Sequence, residues 1–215
     1  MSLPNRLQAA VLFAISVMLL TSCARGPSAV NQPHIDAADA GSQAMEMYDT
    51  DGDGKVAGDE LEKAPGRKSA LSRLDTNNDK AVSAEEVAER VRSRLASGHG
   101  LLSFGFTVSL DGRPLPDAIV TFEPEEFLGG ELKPASSTTS ATGAGGATIA
   151  KEDRPSPSTP PGMHLGLYKV KISKMADGKE TIPAKYNSAT TLGQEVAMDV
   201  PEVGLNSVVY ALTTK

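Results

Sequence analysis

Two twelve-residue stretches carry oxygen-bearing side chains at spacings that could hold an ion. In the first, Asp49, Asp51 and Asp53 stand at positions 1, 3 and 5, Gly54 at position 6 and Glu60 at position 12. Alternating carboxylates on a chain that reverses sharply at a glycine converge on one point, and a late glutamate can close the cluster from the opposite side. An all-oxygen set of this kind suits a hard cation. Ca²⁺, which takes about 6–8 oxygens at about 2.3–2.6 Å, is the ion expected. Lys55 at position 7 would contribute its backbone carbonyl rather than its amine, and Ala57 at position 9 leaves its place to water. The second stretch repeats the spacing with Asp75, Asn77 and Asp79 at positions 1, 3 and 5, Ala81 at 7, Ser83 at 9 and Glu86 at 12. Two departures weaken it. Lys80 occupies the glycine position, where a positive φ costs a side-chain-bearing residue about 1 kcal/mol. Asn77 also lowers the carboxylates to three (Asp75, Asp79, Glu86) against four in the first stretch. The competing reading of either stretch is a polar turn or a degenerate loop that holds no ion.

Elements that could position these residues are legible on either side. Met45 and Tyr48 precede the first stretch and Leu61 follows it; Leu71 and Leu74 precede the second and Val87 follows it. Val87, Val91 and Leu95, with Ala84 and Ala88 beside them, recur at helical spacing and predict one buried face. Ser83 followed by Glu86 predicts a capping box at the start of that helix, so these residues serve both helix and loop. Val56 and Val82, each at position 8, are expected to pair across two neighbouring loops. Residues 36–96 resemble the EF-hand superfamily, which implies a helix pair around calcium loops. The two loops begin only 26 positions apart and Pro65-Gly66 interrupts the connection. The intervening helices must therefore be short, and the wide opening of a calcium sensor is not expected.

After a polar linker at residues 97–100 the hydrophobic period changes from 3.6 to 2. Phe104, Phe106, Val108 and Leu110 alternate with small or polar residues, as do Tyr168, Val170 and Ile172. Further strands are expected at residues 118–123, 147–150, 195–200 and 207–213, and the Pro-rich segment 155–162 reads as an exposed loop. Several short strands with such turns favour an antiparallel sandwich. The strings Leu110-Asp111-Gly112-Arg113-Pro114-Leu115-Pro116-Asp117-Ala118, Val120-Thr121-Phe122-Glu123-Pro124, Gly166-Leu167-Tyr168-Lys169-Val170 and Ile182-Pro183-Ala184-Lys185-Tyr186-Asn187 carry a second resemblance. Residues 101–215 resemble the transthyretin-like or carboxypeptidase-regulatory-like domains of planctomycete surface lipoproteins. That resemblance implies a seven-stranded Greek-key β-sandwich without a catalytic site. The expected fold class is thus multidomain, a short EF-hand helix pair followed by an all-β antiparallel Greek-key sandwich.

Residues 1–22 read as an export signal, with Arg6 ahead of an apolar run too short to span a bilayer. Leu20-Thr21-Ser22-Cys23 resembles a bacterial lipobox, which implies lipidation of Cys23, the single cysteine, and a cell-envelope membrane anchor. An ordinary signal with a free thiol is the alternative. Residues 23–35 would form a flexible tether. A formal charge of -6 argues against nucleic acid. Catalysis has little support. His34, His99 and His164 fall in tether, linker and loop without metal-site spacing and are expected in solvent. Gly143 to Gly146 lacks the Lys-Ser or Lys-Thr of a phosphate loop and reads as a tight strand connection. Lys169, Lys171 and Lys174 read as a solvated sheet face. The expected role is structural or binding, not enzymatic, with calcium ions and an unidentified envelope protein or polysaccharide as partners. A calcium-responsive regulatory or accessory module for an envelope enzyme, or a polysaccharide-binding module, is the alternative.

Overall fold

The structure, a computed structural model, describes residues 32–214. The export signal, Cys23 and the first part of the tether lie outside the described residues. No helix among those described is long and apolar enough to cross a membrane.

Asp36 starts the first helix, α1 (Ala37–Tyr48), by accepting the Ala38 and Asp39 amides at 2.9 and 3.0 Å. The chain then passes through strand β1 (Lys55–Ala57) and two short helices, α2 (Gly58–Glu62) and α3 (Pro65–Leu74). Pro65 opens α3 at its first turn, where its missing amide costs nothing and its fixed φ suits a helix. Strand β2 (Ala81–Ser83) leads into α4 (Ala84–Ala96). Gly41 in α1 lets α4 come close, since a Cβ there would lie 2.4 Å from the Ala84 carbonyl oxygen.

The remainder is β-rich. Strands β3 (Phe104–Leu110), β4 (Arg113–Pro114), β5 (Ile119–Pro124), β6 (Ala135–Thr138), β7 (Ala144–Ile149), β8 (Gly166–Ser173), β11 (Gly193–Val196) and β12 (Val208–Leu212) form one eight-stranded sheet. A small separate hairpin joins β9 (Met175–Ala176) to β10 (Lys179–Glu180), and a one-turn helix, α5 (Pro201–Gly204), precedes β12. The order is β11-β8-β5-β6-β7-β3-β12, with β4 beside β3. All pairings are antiparallel except β12 on β3. The sheet curls, as rings from distant strands meet inside it: Phe104 lies 5.2 Å and Phe106 5.5 Å from Phe122, and Phe122 lies 6.3 Å from Tyr210. The architecture is therefore mixed α and β, a large curled, mostly antiparallel sheet with a few helices.

Period-2 segments lie where the alternation predicts, with Phe104, Phe106 and Val108 buried in β3 and Tyr168, Val170 and Ile172 in β8. Three strand details differ from expectation. The strand expected at 195–200 occupies Gly193–Val196 instead, because Arg90 draws Glu195 and Asp199 toward α4 and Pro201 begins a helix. The segment expected at 147–150 is longer, Ala144–Ile149. Strand β6, Ala-Ser-Ser-Thr, has no apolar alternation to reveal it. The tight connection expected at Gly143 to Gly146 lies earlier, at Ser140 to Gly143, with Gly143 at φ 76° and donating to the Ser140 carbonyl, while Ala144, Gly145 and Gly146 already belong to β7 and pair with β3.

Helices and sheet share apolar contacts. Ala40, Ala44, Leu74, Val87 and Val91 pack in one cluster with Phe127, Leu128, Leu132 and Leu167. The approach is tightest at Gly193, where a Cβ would meet the Pro65 carbonyl oxygen at 1.8 Å. At this seam β11 lies against α3 backbone to backbone.

Candidate metal centre

The first loop brings one oxygen each of Asp49, Asp51 and Asp53 within 4.8 Å of one another. Among the described residues this is the one such group of three or more acidic, histidine or cysteine side chains, and it could hold a metal ion. Its scaffold is local. Asp49 accepts the amides of Gly52 (2.7 Å) and Gly54 (2.8 Å), Asp51 that of Asp53 (3.1 Å) and Asp53 that of Lys55 (2.8 Å). Gly52 and Gly54 take φ 78° and 83°, the left-handed region that lets the chain wrap around its own carboxylates. Glu60 does not join the three aspartates. Its Oε1 accepts the Thr50 amide at 2.6 Å and hydroxyl at 2.8 Å, and its Oε2 the Ala57 amide at 3.2 Å. These donors, Thr50 first, hold its carboxyl well below the usual range, at about 2.

The second loop copies the backbone. Asn78 and Lys80 take φ 62° and 65°, matching the two glycines, and the Lys80 amide reaches Asp75 at 2.8 Å as Gly54 reaches Asp49. Asp75 and Asn77 both accept the Asp79 amide, at 3.0 and 2.9 Å, and Asp79 accepts the Ala81 amide at 2.9 Å. Glu86 takes the Thr76 amide at 3.0 Å and the amide and hydroxyl of Ser83, each at 2.9 Å, while its own amide donates to Ser83 Oγ. The expected capping box is therefore present, and it occupies Ser83 and Glu86. The Lys55 amine, expected to be a bystander, crosses to Asp79 at 2.5 Å. Both groups are exposed, so the pair adds little stability, but it lies against an oxygen the second loop would need. The loops are joined as position 8 predicts, with Val56 opposite Val82 in the β1–β2 pairing and both fully buried.

Beside this centre lies a buried polar seam that periodicity did not reveal. Glu125 is fully buried between the helices and the sheet and accepts the Tyr48 hydroxyl at 2.7 Å and the Gly66 amide at 3.1 Å, with Lys169 Nζ at 3.6 Å. Tyr48 immediately precedes Asp49. Its phenol is pushed up to about 12, first by burial and then by the Glu125 carboxylate. Arg67 is also fully buried, stacked 4.3 Å from the Tyr48 ring and 5.3 Å from Phe127, and donates to the Ala44 carbonyl. Further along, Arg90 holds Glu195 at 2.7 Å and Asp199 through a two-bond fork. One signal was available: Arg90 and Arg94 stand three positions after Val87 and Val91, on the flank of the apolar stripe. Nothing near Glu125 in sequence distinguishes it from a surface acid.

Other candidates are dispersed. His34 and His99 are exposed, whereas His164 is buried and its Nδ1 faces the Gly100 carbonyl at 2.9 Å, against the expectation of a solvated ring. Lys169, Lys171 and Lys174 do not form a free row. They engage Glu125, Glu123 and the Pro116 carbonyl respectively. No family model matches the chain, and no curated protein matches it significantly.

Proposed function

We propose that residues 36–96 form a calcium-binding EF-hand pair, that the β-rich unit is a transthyretin-like Greek-key module, and that the chain is exported and lipid-anchored through Cys23. The observation carrying the calcium reading is the convergence of Asp49, Asp51 and Asp53 on a loop whose glycines turn its amides inward. Hard carboxylate oxygens with a glutamate nearby fit Ca²⁺ better than a softer ion. Asp49, Asp51, Asp53 and Glu60 would hold it with the Lys55 carbonyl; Asp75, Asn77, Asp79, Ala81, Ser83 and Glu86 would form the weaker second site. The ion would neutralise carboxylates that repel one another, and its binding would add to folding stability.

Short helices and a core shared with the sheet support a structural or binding role over sensing. A groove that opens on calcium would have to break the contacts of Phe127, Leu128 and Leu167 with the helices. A polysaccharide platform has less support, since every described Phe and Tyr except Tyr48 is buried. The test is thermal unfolding in calcium, in magnesium and in chelator. Calcium is expected to raise the melting temperature of the native chain and to lose that effect in Asp51→Asn. An unchanged melting curve sinks the reading.

A further inference from the structure

Lys55 belongs to the first loop, yet its side chain serves the second. Its backbone is fixed in β1 opposite Ser83, and from there its Nζ reaches Asp79 Oδ2 at 2.5 Å. Asp79 Oδ1 accepts the Ala81 amide at 2.9 Å, so both oxygens of this carboxylate are engaged. The Ala81 bond lies within the loop and repeats the one that Asp53 Oδ1 makes to the Lys55 amide in the first loop. Oδ2 is therefore the oxygen left for an ion, and an ammonium sits on it. The contact is not returned, because position 7 of the second loop is Ala81, which has no amine to send across to Asp53.

We propose that the Lys55 ammonium is a tethered competitor for the second loop, so that calcium enters there only by displacing it from Asp79, whereas the first loop fills without such an exchange. The inference rests on the calcium reading above and adds an order of filling to it. Two cations against one carboxylate oxygen repel each other, so the amine must leave as the ion arrives. Tethering keeps the amine at a high effective concentration beside Asp79 whatever the solution contains. The pair is exposed, with 44% of the Lys55 side chain and 31% of that of Asp79 accessible, and exposed pairs are weak. The amine therefore raises the calcium concentration at which the second loop fills and does not close the loop.

Calcium is titrated calorimetrically into the native chain, Lys55→Met and Lys80→Met. Lys80 adjoins Asp79 and forms no ion pair among the described residues, so both variants remove one charge near the second loop but only Lys55→Met removes the competitor. The weaker calcium step is expected to tighten about threefold in Lys55→Met and distinctly less in Lys80→Met. Where the native chain shows a single step, a second appearing in Lys55→Met alone supports the exchange and none appearing overturns it. In the native chain the ¹⁵Nζ resonance of Lys55 should hold until the first step is complete and then move to the position of a solvated lysine. Equal tightening in the two variants, none in Lys55→Met, or a resonance unmoved while the second calcium binds overturns the exchange and leaves the calcium reading standing. No calcium heat in the native chain overturns both.

Discussion

Lys80 shows how one backbone angle ranks two otherwise parallel loops. It stands at φ 65° where the first loop has Gly54 at φ 83°. An L-residue there is strained by about 1 kcal/mol or more, part of which a glycine would return as unfolded-chain entropy. Lys80→Gly is therefore expected to stabilise the protein by about 0.5–1 kcal/mol in denaturant titration and to tighten calcium binding at the second loop, read by calorimetry. His164 governs a different response. Burial lowers its pKa, opposed by its bond to the Gly100 carbonyl and aided by Lys133, with Asp153 nearby opposing. The folded state thus binds the proton less readily than the unfolded chain. The stability it contributes is present above the ordinary imidazole value of about 6.5 and is lost as pH falls below it. His164→Asn should flatten the pH dependence of stability below that point while keeping a donor for Gly100.

Among the elements, the β1–β2 pair is only three residues on each side, yet it joins the two loops. Val56 and Val82 are both 0% exposed, so truncating either removes packing from both loops at once. Val82→Ala is expected to cost about 2 kcal/mol and to weaken calcium binding at Asp49 to Glu60 as well as at its own loop. Loss confined to the second loop would show that the pairing does not couple them. Helix α3 has a second duty. Its start supplies the Gly66 amide to Glu125 and packs its backbone against Gly193, so the connection between the loops is also the surface that meets the sheet.

Across the whole molecule, helices and sheet share one apolar cluster and the buried Glu125 and Arg90 bonds, so they are expected to unfold together. Gly193→Ala would place a methyl 1.8 Å from backbone that cannot turn aside. It should destabilise the chain by about 3 kcal/mol and split a single melting transition, followed by tyrosine circular dichroism and by backbone signal, into two. Sequence alone indicated the two loops, their pairing through position 8, the capping box and the alternating strands, because each rests on spacing within a few residues. It did not indicate β6, whose residues carry no alternation, or the end of β11, which Arg90 sets from another helix. Nor did it separate Glu125, Arg67 and His164 from ordinary surface groups. Their burial comes from segments far apart in the chain closing on one another, and only the tertiary structure decides which charges lose their water and which partners they then meet.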